Sequence, residues 1–166
     1  MSKKFFKIAW RFSKYSTCLK TKTGAVIIKN GQIISTGFNL CAPPGITHGE
    51  SVSACPRITA KTGTNYELCQ PLHAEVMACL KVRPNRKPEE LALFASHRQP
   101  TRNEILRAFT KEERERLAGA TLYLVGHYWA CDGCRKFTKT LKITDIRFDT
   151  ITSMKTKTRY QKNGMV

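Results

Sequence analysis

Two short motifs, far apart in the chain, constrain its fold more than any other feature. His73-Ala74-Glu75 opens a run of helix-forming residues, and Cys131-Asp132-Gly133-Cys134 follows a run of strand formers. Cys131 and Cys134 are three apart, so in the first turn of a helix both thiols face one way. His73 sits at the start of its own helix. If the two helix starts converge, His73, Cys131 and Cys134 supply the three protein ligands that zinc keeps in hydrolytic sites, with a fourth position open. The positive helix ends then stabilise the thiolates. Glu75 falls beside the open position, where a carboxylate is suited to moving protons. His-x-Glu alone is commonplace on a helix face and Cys-x-x-Cys alone is moderately suggestive; the pair, each opening a helix, is specific.

Composition sets the bounds. A chain of 166 residues, 41% of them hydrophobic, is expected to fold as one domain with its own core. No apolar run reaches the roughly 18 residues of a membrane span. The basic, aromatic N-terminus lacks the apolar stretch and cleavage site of a signal peptide, so a cytoplasmic location is expected. There, seven cysteines point to metal rather than disulfides. The formal charge of +17 favours anionic partners. A phosphorylated nucleotide, a tRNA and single-stranded DNA would all be attracted, so charge alone does not choose among them.

The coarse order of elements follows from periodicity and punctuation. Residues 3–17 read as a helix, with Phe5, Ile8, Ala9 and Phe12 on one face. Residues 24–29 are a buried strand, Asn30-Gly31 a hairpin turn, and 32–37 the returning strand. Residues 38–72 are irregular, too long a loop to stand unsupported in a compact domain. A helix runs from His73 to about Val82. Residues 84–118 read as one or two helices: Pro88-Glu89-Glu90 can open one, and Thr101 with Glu104 competes with Thr110 and Glu113 as a capping box. Residues 121–125 form a third strand, Cys131 to Leu141 a helix, and 143–149 a fourth strand. The basic segment 150–166 reads as a mobile or partly ordered tail.

The motifs and their surroundings resemble the deoxycytidylate deaminases of the cytidine deaminase superfamily. The resemblance covers residues 17–82 and 121–146. It rests on Thr17-Cys18-Leu19-Lys20-Thr21-Lys22-Thr23-Gly24-Ala25-Val26-Ile27, on Ser35-Thr36-Gly37-Phe38-Asn39, and on Glu67-Leu68-Cys69-Gln70-Pro71-Leu72-His73-Ala74-Glu75. It implies an α/β, three-layer cytidine deaminase-like fold, a mixed central sheet flanked by helices. Residues 1–149 would be the zinc-dependent deaminase domain, with 84–118 an insertion atypical of the family. The implied reaction is hydrolytic deamination of dCMP to dUMP, with Glu75 as the proton shuttle. Asn39 would contact the nucleotide sugar, and backbone at Gly24, Ala25 and Ala74 would meet the base. A second, structural zinc is implied on Cys18, His48, Cys55 and Cys69, with Cys41 a rival for one place and Glu50 a weaker one, and it would pin the long loop. Cys79, inside a helix, reads as a small buried residue. A homo-oligomer, dimer or hexamer, is also implied.

Three departures stand out. Ala130 occupies the place of the family's proline before the first cysteine, in a longer loop whose His127, Tyr128 or Trp129 could cover the base. Leu40 follows Asn39 where many relatives have glycine, which puts regulation by nucleoside triphosphates in doubt. Residues 84–118 replace a shorter link. Two other functions are weighed against the first. A deaminase of cytosine or adenine in tRNA or single-stranded DNA would use the positive charge and the loop aromatics. A non-catalytic, zinc-stabilised nucleic-acid-binding module would have no use for Glu75.

Overall fold

The computed structural model describes residues 2–149 apart from 44, 47, 49, 62, 63, 96, 97 and 144. The segment 150–166, read as a tail, lies outside the described residues. Four strands form one sheet: β1 (Gly24–Lys29), β2 (Gln32–Phe38), β3 (Thr121–Val125) and β4 (Asp145–Phe148). Their order is β2-β1-β3-β4. β1 runs antiparallel to β2 and β3, whereas β3 and β4 are parallel. Asn30 (φ 52°) and Gly31 (φ 76°) make the expected hairpin turn.

Alternation along the strands separates two apolar faces. Ala25, Ile27, Leu122 and Leu124 join the main core with α2 (Ala74–Leu80) and α6 (Asp132–Thr140). Val26, Ile28, Tyr123 and Val125 pack instead against Phe5 and Ala9 of α1 (Ser2–Ser13). The period of two thus places helices on both sides of a mixed sheet, the expected three-layer α/β fold. All of α2 is buried. Helix α1 stops short of residue 17 because Ser16 donates to Asn39 Oδ1 and Thr17 Oγ1 accepts the Cys41 amide, which pulls the chain out of the helix. No helix among the described residues is long and apolar enough to cross a membrane.

Residues 84–118 hold three helices rather than one or two: α3 (Pro88–Ala92), α4 (Arg102–Arg107) and α5 (Lys111–Leu117). The two capping boxes do not compete. Thr101 caps α4 and Thr110 caps α5, each short helix ending where the next begins. Phe94, Ile105, Phe109 and Leu117 enter the main core, and Phe94 and Phe109 meet Phe137 of α6 edge-on. The segment is therefore part of the core that backs α6.

Arg86 ties this segment to α2. Its guanidinium donates to the carbonyls of Leu80 (2.8 Å) and Ala108 (2.6 Å), lies 3.4 Å from Glu113 and stacks 4.7 Å from the Phe109 ring centroid. Arg86→Ala strips both carbonyls of a donor, while Arg83, 2.9 Å from Glu113, still neutralises that carboxylate. The expected loss is about 2 kcal/mol, measured by urea unfolding; a loss below about 0.5 kcal/mol would show the network to be inert.

The long loop is held at both ends. Leu40 and Leu72 form an isolated antiparallel bridge, and the Gln70 amide donates to Ala42 O. A 3-10 turn at Tyr66–Leu68 is its only regular element among the described residues. Leu40, 5% exposed, is there a core residue rather than a substitute for a flexible glycine.

Candidate active site

Helices α2 and α6 start side by side, and the two motifs meet there. His73 caps α2 with extended backbone, φ −73° and ψ 149°. Cys131 caps α6, and its sulfur accepts the Cys134 amide at 3.4 Å. Thr138 donates to Cys134 O and Arg135 Nε to Ala130 O, which fixes the first turn and its approach. Ala130 is 1% exposed, so the loop is packed without a proline.

His73 Nδ1 lies 3.3 Å from Cys134 Sγ and 3.5 Å from Cys131 Sγ. Among the described residues this is the one group of three or more such donors, all within 4.8 Å of one another. Tetrahedral zinc, with bonds of about 2.3 Å to sulfur and 2.0–2.1 Å to nitrogen, requires N···S separations of about 3.5 Å. One imidazole and two thiols at these spacings fit zinc in both geometry and chemistry. The Cys131 thiol is pulled down to about 4, first by its hydrogen bond with Cys134 and then by that with His73, and so readily supplies a thiolate.

Glu75 is 4% exposed and stands beside this group. Burial pushes its carboxyl up, opposed by the charge of His73. A group whose proton is held more tightly than usual is suited to receiving and returning one. His127 is held down at about 4 by burial and then by the charge of His73, so it is neutral at pH 7.

A cavity of about 150 Å³ opens over the group. His73, Ala74, Glu75 and Cys131 line it, with Thr23, Asn39, His127 and Trp129 among the remaining wall residues. Ala74 and Asn39 thus lie where a ligand would contact them. Asn39 is also a structural knot: its Oδ1 accepts from Ser16 Oγ (2.8 Å) and the Thr23 amide (2.7 Å), and its Nδ2 donates to Thr21 O (2.8 Å). One amide N–H remains for a ligand. Gly24 and Ala25 are not lining residues; Thr23 stands in the wall. A side chain at Gly24 would come within 2.0 Å of Ala9 O, so glycine there lets α1 approach the sheet. Tyr128 does not line the cavity, whereas Trp129, 38% exposed, does. Lys20, Thr21 and Arg57 also line it. They come from loops, where no periodicity marks them. A smaller cavity behind the ligands, lined by His73, Cys131 and Cys134, is closed by Phe94, Ala95 and Pro100.

The residues expected to hold a second zinc are less tightly gathered. Cys41 Sγ donates to Thr17 O at 3.0 Å, and Cys18 lies within electrostatic reach of Cys41, Cys55 and Cys69. His48 Nε2 is 2.8 Å from Gln70 O. Cys79 is fully buried, as expected of a core residue.

A family model, the cytidine and deoxycytidylate deaminase zinc-binding region, matches residues 1–150. The chain belongs to this family. Deoxycytidylate deaminase of Saccharomyces cerevisiae is 31% identical over 90 residues, and that of Schizosaccharomyces pombe 32% over 92. Each match takes in 54% of this chain but only 28% of the relative's length. Among solved structures, dCMP deaminase from the cyanophage S-TIM5, in complex with dCMP and dUMP, shares the fold. It is 21% identical with a TM-score of 0.50, covering 91% of this chain and 84% of that one.

Proposed function

We propose that the chain catalyses hydrolytic deamination of dCMP to dUMP, a step of nucleotide metabolism. The observation that carries this reading is the buried Glu75 beside His73, Cys131 and Cys134 at one cavity. The matched relatives bear the name deoxycytidylate deaminase, which supports the substrate. His73, Cys131 and Cys134 would hold one zinc. When bound, it would supply the Lewis acidity that makes water nucleophilic near neutral pH. Glu75 takes a proton from the attacking water and hands it to the ring nitrogen as C4 becomes tetrahedral; it then takes the proton of the new C4 hydroxyl and delivers it to the departing amine as C4=O forms. Water adds, ammonia leaves, and the carboxylate ends as it began. Ala74 and the free N–H of Asn39 would contact the nucleotide, with Thr23 taking the wall position expected of Gly24 and Ala25. Trp129 and neutral His127 would flank the base.

A second zinc, on Cys18, Cys55, Cys69 and either His48 or Cys41, completes the proposal. Each rival faces a backbone carbonyl, Cys41 Sγ that of Thr17 at 3.0 Å and His48 Nε2 that of Gln70 at 2.8 Å, so either would have to turn to bind the metal. Metal analysis of freshly purified protein is expected to find two zinc ions per chain, and one would remove the second site. By family resemblance the protein is a homo-oligomer, a dimer or a hexamer, with 84–118 integral to the domain.

The test is a panel of dCMP, CMP, dCTP, cytidine, single-stranded DNA and tRNA offered to zinc-loaded protein. Turnover of dCMP above the others is expected. Turnover of a polymer without dCMP would overturn the reading, as would DNA binding with no turnover at all.

A further inference from the structure

The cavity carries more positive charge than its chemistry requires. Among the described residues Glu75 is the one carboxylate in its lining, against Lys20 and Arg57. Arg57 is 8% exposed, although it sits in a stretch without helix or strand. An arginine in such a loop is ordinarily solvated; here it is drawn into the wall of the cavity that His73 and Glu75 also line.

Lys20 explains how the loop holds that position. Its ammonium donates to the carbonyl of Arg57 (2.9 Å) and to that of Ala60. The Ala60 amide donates back to Arg57 O at 3.2 Å, and the Ile58 amide to Cys55 O at 3.1 Å. Two consecutive turns are thus clamped from the β1 side of the cavity, with Arg57 between them.

We propose that Arg57 is the anion-recognising residue of this site, taking the 5′-phosphate of a nucleoside monophosphate, and that Lys20 is the positioning residue that presents it. The assignment rests on the deaminase reading given above. A guanidinium offers paired N–H donors that match two phosphate oxygens, and inside a half-enclosed cavity that contact is stronger than in water. Deoxycytidine has no charge to meet it. Arg57 therefore selects nucleotide over nucleoside without touching the ring that reacts.

The experiment compares zinc-loaded wild type, Arg57→Gln, Arg57→Lys, Lys20→Met and Lys20→Arg. For each, kcat/KM is measured on dCMP and on deoxycytidine. Binding of both ligands is measured by calorimetry in the Glu75→Gln background, where nothing is turned over. Arg57→Gln is expected to weaken dCMP binding and lower its kcat/KM on the order of 100-fold, mostly through KM, and to leave deoxycytidine unchanged. Arg57→Lys keeps a point charge and recovers part of the loss, which also covers the case in which the Gln variant does not fold. Lys20→Met shifts dCMP in the same direction by less, and Lys20→Arg restores it. If dCMP is deaminated but Arg57→Gln affects both ligands equally, or neither, the deaminase reading stands and this assignment is wrong. If dCMP is bound but not deaminated, and Arg57→Gln abolishes binding, the assignment stands and the reaction is wrong. If wild type neither binds nor deaminates dCMP, both fall.

Discussion

Glu75→Gln is expected to lower kcat for deamination by roughly 10³- to 10⁴-fold, the upper part of what a positioned proton shuttle contributes. The amide keeps the volume of the side chain and cannot accept the first proton. Two transfers depend on that one group, so both bond making and amine departure suffer. His127, another wall residue, is held neutral by burial and by the charge of His73, but it does not share the first turn of α2 with His73 as Glu75 does. Steady-state kinetics beside zinc content checks the expectation. A loss below tenfold with full zinc would place the proton relay elsewhere. The fold should not suffer. Burial pushes the Glu75 carboxyl up, so above the ordinary value of 4.5 the folded, metal-free chain binds more protons than the unfolded chain. Stability then falls as pH rises through that window. Removing the carboxylate takes this cost away, and the Tm of metal-free Glu75→Gln at neutral pH should equal or exceed that of the wild type.

What the sequence shows and what it hides divide along physical lines. The strands at 24–29 and 121–125 are legible because their alternate residues feed two different apolar faces, and Asn30-Gly31 because few other pairs accept positive φ twice. The cluster of His73, Cys131 and Cys134 is legible because a histidine and a Cys-x-x-Cys pair carry their own chemistry. The helix count in 84–118 is not legible: two capping boxes nine residues apart read as rivals unless each helix is known to be short. The bridge between Leu40 and Leu72 is a single pairing, which leaves no period to detect. Asn39 reads as a ligand contact, yet most of its carboxamide is spent on Ser16, Thr21 and Thr23. That role depends on three loop atoms meeting in space, and sequence spacing carries no trace of it. Gly24 shows the same limit. A glycine opening a strand could serve a ligand or a neighbouring helix, and only the structure shows that a side chain there would come within 2.0 Å of Ala9 O.

Gly37→Ala is expected to destabilise the protein by more than the roughly 1–3 kcal/mol usual for overpacking. A Cβ at this β2 position would lie 2.4 Å from Ala78 N, 2.5 Å from Ala74 O and 2.8 Å from Ala78 Cα. All three are backbone atoms of α2, so no side chain can rotate away and the helix itself must move. Helix α2 is buried along its whole length, so it can shift only by opening the core. For a chain of this size a loss of 3 kcal/mol lowers Tm by about 6–12 °C. The damage should reach the chemistry as well. His73 and Glu75 ride on the start of α2 while Cys131 and Cys134 ride on α6, so displacing one helix separates donors now 3.3 and 3.5 Å apart. Zinc affinity is therefore expected to fall along with Tm, read by competition with a chelating dye. Gly133→Ala is the matching control. Its Cβ would meet nothing closer than Cys131 Sγ at 3.9 Å, an ordinary contact in a helix. There the same methyl group should be neutral or stabilising by up to ~1 kcal/mol. Opposite signs for one substitution at two glycines would show that close helix–sheet approach, rather than glycine content, sets the geometry of the donor group. Equal, small effects would show that α2 has room to move and that the donor geometry tolerates it.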